Sequence, residues 1–95
     1  MKGFVVLTDS EAMGAFERAF LEAGHGFTVI PGAVGSGRTG LKAGDRVHPG
    51  GTSLLLAMAS DAEQDEVSSL VLRARDEAGV AEATRVYVFE AQELR

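Results

Sequence analysis

The 95-residue sequence contains no cysteine and no tryptophan, and it has only one tyrosine, two histidines and two prolines. The missing cysteines exclude disulfide bonds, thiolate metal sites, cysteine nucleophiles and thiol redox chemistry. Two histidines cannot form a histidine-rich metal motif. A domain this small without disulfides buries a limited core, so association with further copies is one way to stabilise it.

Long hydrophobic runs are also absent. No stretch approaches the ~20 consecutive apolar residues of a membrane-spanning helix. The apolar run that begins at Phe4 is too short for a secretory signal peptide, and the polar residues Thr8 and Asp9 follow it. We therefore expect a soluble cytoplasmic protein whose residues 1–95 form a single domain.

Positive charge is scarce and unevenly distributed. The chain has 9 Lys and Arg against 14 Asp and Glu, and this acidic balance argues against nucleic acid as a partner. The glycine-rich segment 32–52 is the exception, because Arg38, Lys42 and Arg46 accompany a single acid there, Asp45. Free backbone N–H groups and cationic side chains suit a small anion or an acidic protein surface. Solvated charges beside turn-forming glycines give the same pattern.

The hydrophobic pattern predicts four strands and two helices. Short apolar runs mark the strands, and apolar residues at helical spacing mark the helices. Glycines follow both predicted helices, and Ser60 with Glu63 matches a capping box at the start of the second. The predicted elements are a strand at 4–7, a helix at 11–23, a strand at 27–30, a long loop, a strand at 52–59, a helix at 60–77 and a strand at 85–90.

The order β-α-β-β-α-β is that of the α+β ferredoxin-like fold. In this fold a four-stranded antiparallel sheet carries both helices on one face, and here the long loop joins strands two and three. Right-handed crossovers place the first and third strands, the most apolar ones, in the centre of the sheet. We expect Leu55, Val86 or Val88 to point to the uncovered face, and a dimer or trimer to cover it.

Nearly the whole chain resembles the nitrogen-regulatory PII and PII-like superfamily. The resemblance rests on Gly26-Phe27-Thr28-Val29, Val34-Gly35-Ser36-Gly37-Arg38, the helix 65–75 and Val86-Tyr87-Val88-Phe89-Glu90. Gly35–Arg38 resembles the entry to the mobile T-loop of these proteins. The resemblance implies a homotrimer that binds a small anionic ligand, commonly an adenine nucleotide, in clefts between subunits. It also implies that the loop signals to a protein partner, such as a transporter or an enzyme.

Nine residues are predicted to bind the ligand: Gly35, Gly37, Arg38, Thr39, Gly40, Lys42, Arg46, Thr52 and Arg85. The resemblance places the first three at the base of the loop, and Arg85 corresponds to a basic residue that ends the phosphate loop of PII proteins. Reading the loop as an anion site adds the others, with Lys42 and Arg46 neutralising the anion and Thr52 orienting it.

The segment 78–85 differs from that phosphate loop, which lies between the second helix and the last strand of PII proteins. The PII loop is rich in glycine and bears lysine, whereas this chain keeps only Gly79 and Arg85 as counterparts. Glu82 lies in the same turn and repels a polyphosphate by like charge. The chain also lacks the loop tyrosine that some PII proteins modify, so it resembles a PII-like relative.

Two other classes of function stay open. The run Val29-Ile30-Pro31-Gly32 resembles the second strand of the CutA divalent-cation tolerance proteins, which implies a metal- or stress-related trimer. The third class is a non-catalytic interaction module. We expect no enzymatic activity, because the sequence has neither a nucleophile-elbow serine nor a histidine-rich metal motif.

The two histidines do not change this interpretation. His48 lies in the glycine-rich segment, where it is either an exposed loop histidine or a pH-sensing or metal-binding residue. His25 follows the first predicted helix, and a positive charge there complements the helix dipole.

Overall fold

A computed structural model describes residues 1–37, 40–42 and 51–94, with side chains for 1–34 and 51–94. Its elements are β1 (Lys2–Asp9), α1 (Met13–Ala23), β2 (Thr28–Ala33), β3 (Gly35–Gly37), β4 (Gly40–Lys42), β5 (Thr52–Ala59), one turn of 3-10 helix (Asp61–Glu63), α2 (Gln64–Ala78) and β6 (Arg85–Glu90). The two predicted helices and four predicted strands are all present.

Four strands form one antiparallel sheet in the order β2-β5-β1-β6. β1 pairs with β5 along its whole length, from Lys2 opposite Ala59 to Asp9 opposite Thr52, and with β6 on its other side. The first and third predicted strands are therefore the central ones. This sheet with its two helices confirms the predicted α+β ferredoxin-like fold.

The glycine-rich segment contains two short strands that the sequence did not predict. β3 and β4 pair antiparallel, with Gly35 opposite Lys42 and Gly37 opposite Gly40. Glycine disfavours strands because it loses more conformational freedom than other residues, so the hydrophobic pattern gives no sign of this pair. The segment continues β2 beyond Pro31, where the sequence predicted that the strand ends.

One face of the sheet forms the core with the two helices. Alternate residues of β1 and β5 are buried on this face, as expected for strands covered on one side. The aromatic pair Phe16 and Phe20 is fully buried, as predicted. The largest core residues are Phe4, Val6, Met13, Phe16, Phe20, Leu55, Val67, Leu70 and Val71.

The other face, called the open face below, is apolar and is not covered by the described part of the chain. Its residues alternate with those of the core, and several are about half exposed. They are Val5, Leu7, Ile30, Leu54, Leu56, Met58, Tyr87 and Phe89.

The prediction that Leu55, Val86 or Val88 points to the open face is wrong. Leu55 is 0% exposed and belongs to the core, and Val86 packs against that core. Val88 lies on the same face of the sheet as Val86, because side chains repeat their direction every second residue of a strand. Leu54, Leu55 and Leu56 are equally apolar, so hydrophobicity alone could not assign the faces.

Both helices end as the sequence predicted. Gly24 and Gly79 follow them with left-handed φ values of 74° and 70°, which glycine adopts without strain. Ser60 donates from its backbone N–H to the Glu63 carboxylate at 3.0 Å, which confirms the capping box. None of the helices in residues 1–37 and 51–94 is long and apolar enough to cross a membrane.

Candidate functional site

The two ends of the glycine-rich segment meet at one end of the sheet. Ala33 at the end of β2 lies opposite Thr52 at the start of β5, after a bulge that follows Ile30. Thr52 in turn lies opposite Asp9, the last residue of β1. β6 begins at the same end, since Arg85 lies opposite Leu7. We call this region the loop end of the sheet.

Positive φ angles fix the backbone on both sides of the segment. Gly32 has a φ of 71° and Gly51 a φ of 75°. A residue with a Cβ atom rarely adopts this conformation, so glycine is required at each position to direct the chain out of β2 and into β5. Gly32 and Gly51 therefore have a structural role at the two ends of the segment.

Two hydrogen bonds between hydroxyl groups join the segments that meet here. The Oγ1 atoms of Thr8 and Thr84 are 2.8 Å apart, and the Oγ atoms of Ser10 and Ser53 are 2.6 Å apart. Thr8, Ser53 and Thr84 are almost completely buried, so each hydroxyl needs its partner. The Ser10 N–H also donates to the Gly51 carbonyl at 3.0 Å.

These hydroxyl groups hold β1, β5 and the segment before β6 in one fixed arrangement. Sequence reasoning missed all of them except as single polar residues at strand ends. Thr8 and Thr84 are 76 positions apart, and an isolated threonine carries no pattern that predicts its partner. The only sign of these hydrogen bonds in the sequence was the presence of hydroxyl residues at the ends of two apolar strands.

Arg85 shapes the turn that precedes β6. Its Nη1 atom donates to the carbonyls of Glu82 and Thr84, each at 3.2 Å. Within the described part of the chain, no hydrogen bond or ion pair of its other guanidinium nitrogens is seen. The side chain lies on the open face and is exposed, so these nitrogens can bind an anion.

The structure locates five other predicted ligand residues in part. Thr52 lies on the open face and is half-buried. The backbone brings Gly35 opposite Lys42 and Gly37 opposite Gly40. Arg38, Thr39 and Arg46 lie outside the described residues, as does His48.

A cavity of about 500 Å³ opens at the loop end between the start of α1 and the end of α2. Its charged lining residues are Asp9, Glu11, Arg18 and Glu77, and alanines form much of the rest. Among the described lining residues, acids outnumber bases by three to one, which disfavours an anion inside this cavity. An anionic ligand at the loop end therefore needs cations from outside the cavity.

His25 lies at the opposite end of the sheet, near the start of α2. Its Nδ1 atom is 3.7 Å from Glu63 Oε2, and its Nε2 atom is 3.4 Å from Glu66 Oε1. The sequence predicted only that His25 complements the dipole of α1. In the structure, His25 also lies beside two carboxylates of the next helical segment. Across residues 1–37 and 51–94, no group of three or more His, Asp or Glu side chains could hold a metal ion.

No protein-family model matches the sequence, and no curated protein matches it. Solved structures do match. The chain is similar to CPII from Thiomonas intermedia K12, a nitrogen regulatory PII-like protein bound to ADP, AMP and bicarbonate, with a TM-score of 0.68 and 16% identity. The match covers 93% of this chain and 82% of CPII. A second CPII structure, bound to ADP and bicarbonate, matches at a TM-score of 0.66 and 17% identity over the same shares of the two chains.

A protein of the DUF3240 family from Shewanella baltica OS155 is also similar. Its TM-score is 0.74 at 11% identity, and the match covers 99% of this chain and 92% of that protein. Such identities establish a shared architecture. The chain therefore has the fold of the PII-like proteins, as its sequence resemblance predicted.

Proposed function

We propose that the protein is a PII-like regulatory protein of the cytoplasm that binds a small anionic ligand at the loop end of the sheet. The observation that carries this proposal is the pairing of Ala33 with Thr52. This pairing holds the two ends of the basic, glycine-rich segment at the same end of the sheet as Arg85. The fold is shared with CPII. CPII structures contain ADP, AMP and bicarbonate, so a nucleotide or a small oxyanion is the ligand class to test.

The charges at the loop end determine which residues must bind the anion. Asp9, Glu11 and Glu77 make the cavity negative, and Glu82 adds a further acid to the turn before β6. Arg18 lines the cavity, and we propose that Arg85, with Arg38, Lys42 and Arg46 of the segment, supplies the positive charge that binds the anion. We propose that the protein signals ligand binding through the glycine-rich segment to a protein partner, such as a transporter or an enzyme.

We also propose that the protein acts as a homotrimer and by binding, without catalysing a reaction. Ile30, Met58 and Tyr87 on the open face are 50%, 47% and 54% exposed. An apolar sheet face of this kind is rare on a monomer and usually marks an interface. Packing of three open faces would bring the loop end of one subunit next to its neighbour.

Thermal unfolding with ADP, AMP, ATP or sodium bicarbonate tests the proposal. A ligand at 100 times its Kd stabilises the native state by about 2.7 kcal/mol, which is easily measured. The variant with Arg38→Gln, Lys42→Gln and Arg46→Gln should lose the shift in unfolding temperature. Arg73→Gln is the matched control, because Arg73 is exposed on α2 away from the segment.

Either of two results would contradict this function. The first is the absence of a saturable shift with any of the four ligands. The second is an equal shift in the triple variant and the wild type, since binding would then not use the cations of the segment.

A further inference from the structure

The turn between α2 and β6 uses several backbone N–H groups for its own structure. The Gly79 N–H donates to the Asp76 carbonyl at 3.1 Å, and the Val80 N–H donates to the Arg75 carbonyl at 3.2 Å. The Ala83 N–H donates to the Val80 carbonyl at 3.1 Å. These three donors are therefore occupied within the protein and do not serve a ligand.

This use of the donors determines which anions the turn can hold. A chain of phosphate groups is typically bound by successive free N–H groups in a glycine-rich turn. Gly79 is the only glycine between α2 and β6, and the N–H groups of Gly79 and of the following Val80 both donate to α2. Two neighbouring donors at the start of the turn are thus already paired, so the turn does not form a phosphate cradle there.

Arg85 offers a different kind of anion site at the end of the same turn. Its Nη1 atom donates to the carbonyls of Glu82 and Thr84, which fixes the guanidinium group against the turn. Thr84 is itself buried and hydrogen-bonded to Thr8. The Nε and Nη2 atoms form the other edge of the planar group. Two parallel N–H groups on one edge match the two oxygens of a carboxylate or of bicarbonate.

Glu82 lies beside this edge because the turn holds both residues. Its carbonyl accepts the hydrogen bond from Arg85, and its side chain is exposed. The carboxylate is therefore separated from the guanidinium group by a distance comparable to the Debye length of ~8 Å in physiological salt. Charges still interact over such a distance. The repulsion from Glu82 is small for a ligand with one negative charge, and it grows with every phosphate group.

The cavity at the loop end strengthens the same effect. Val80 lines it, so the turn forms part of its wall. Its described lining also includes Asp9, Glu11 and Glu77, against one arginine. A long, highly charged ligand at the loop end meets this negative potential as well. A ligand small enough to stay at the free edge of Arg85 avoids most of it.

We propose that the loop end prefers a small planar oxyanion with a single negative charge, bicarbonate or a carboxylate, to a nucleotide polyphosphate, and that Glu82 determines this preference. The inference rests on the proposed function, because it specifies which anion the same site selects. The Nε–Nη2 edge of Arg85 recognises the oxyanion. The charge of Glu82 and the paired N–H groups of the turn discriminate against further phosphate groups.

Isothermal titration calorimetry at constant low ionic strength, with sodium bicarbonate, sodium acetate, AMP, ADP and ATP, tests this preference. For the wild type we expect the Kd to rise from AMP to ADP to ATP, and bicarbonate to bind more tightly than ATP. Acetate that binds at least as tightly as bicarbonate supports a small carboxylate as the ligand, and weaker acetate supports bicarbonate. A Kd that falls from AMP to ATP, or bicarbonate that binds more weakly than ATP, overturns the proposal.

The role of Glu82 is tested by Glu82→Gln, an exchange of similar size at an exposed position. We expect the affinity for bicarbonate to rise about twofold and the affinity for ATP about tenfold, because Coulomb repulsion increases with the charge of the ligand. Glu22→Gln is the matched control, since it changes the net charge equally in the exposed last turn of α1, away from the loop end. Equal gains for bicarbonate and ATP, or equal gains in the two variants, overturn the role of Glu82.

Failure of this inference is distinguishable from failure of the proposed function. If none of the five ligands binds saturably to the wild type, the proposed function fails and the preference fails with it. If the nucleotides bind and their affinity increases with each phosphate group, the proposed function stands and only the preference is overturned.

Discussion

The two ends of the sheet are held by different kinds of interaction. At the loop end, neutral hydrogen bonds join buried or partly buried hydroxyl groups, Thr8 with Thr84 and Ser10 with Ser53. At the other end, the contacts are charged and exposed. The Met1 amine lies 2.9 Å from Asp61 Oδ1, Lys2 pairs with Glu90, and Glu63 caps the helix start at Ser60.

This difference predicts that the two ends of the sheet respond differently to substitution, pH and salt. Buried neutral hydrogen bonds do not titrate, and they are costly to break because an unpaired hydroxyl stays behind. Exposed ion pairs contribute little and are screened by salt. The loop end should therefore respond most to the loss of a hydroxyl group, and the opposite end to pH and salt.

The largest effect is expected from Thr8→Val. This change keeps the size of the side chain but leaves the Thr84 hydroxyl buried without a partner, which costs about 1 to 3 kcal/mol. Urea unfolding should show this loss, and the double variant with Thr84→Val should recover part of it. Thr28→Val, at an exposed position, is the control. A double variant that loses the sum of both single effects would show that the hydroxyls act separately.

An intermediate effect is expected from Gly32→Ala. A Cβ atom at Gly32 meets nothing within 4 Å, so only the φ of 71° opposes it, at a cost of about 1 to 2 kcal/mol. Gly26→Ala is the matched control, since Gly26 also has free space around it and no positive φ. Equal stability of the two variants in urea would mean that Gly32 does not set the path of the chain out of β2.

The fold could be predicted because the sequence signals that specify it are local. Apolar runs, helical spacing and the stops at Gly24 and Gly79 act within a few residues and agree with one another. The faces of β5 could not be predicted, since Leu54, Leu55 and Leu56 are equally apolar and only packing decides which one is buried. The β3–β4 pair was missed because three of its six residues are glycine.

Of the candidate site, only the positive charges could be predicted from the sequence. The basic character of the segment and the position of Arg85 are visible in the sequence. The hydroxyl groups beneath the segment are not, because Ser10 and Ser53 meet only after the sheet has formed. The acids of the cavity come from the end of β1, the turn before α1 and the last turn of α2, and their joint effect on an anion depends on the same folding step.

The smallest effect is expected from acid, through two carboxylates of the charged end. A hydrogen bond and the positive charge of the Met1 amine lower the pKa of Asp61, and hydrogen bonds from the Ser60 backbone and hydroxyl lower the pKa of Glu63. Groups with a lowered pKa in the folded state stabilise it above their ordinary pKa. This stabilisation is lost as the pH falls through the folded value, below about 4.5 for Glu63.

Unfolding temperatures of Asp61→Asn and Glu63→Gln between pH 7 and pH 3 measure this loss. Both variants should fall less steeply than the wild type below about pH 4.5, where the wild-type carboxylates become protonated. Thr8→Val should keep the wild-type slope, since the hydroxyl groups of Thr8 and Thr84 do not titrate in this range. A shallower slope in Thr8→Val would contradict the distinction between the two ends.

The most direct test of a ligand site at the loop end is a titration of the ¹⁵N-labelled protein with ADP and with bicarbonate, followed by backbone amide shifts. We predict saturable changes in the turns 8–12, 51–53 and 79–85. Amides near Ser60 and Glu90, at the charged end, should stay unchanged. Shifts confined to the charged end, or no shift at millimolar ligand, would contradict the proposed site.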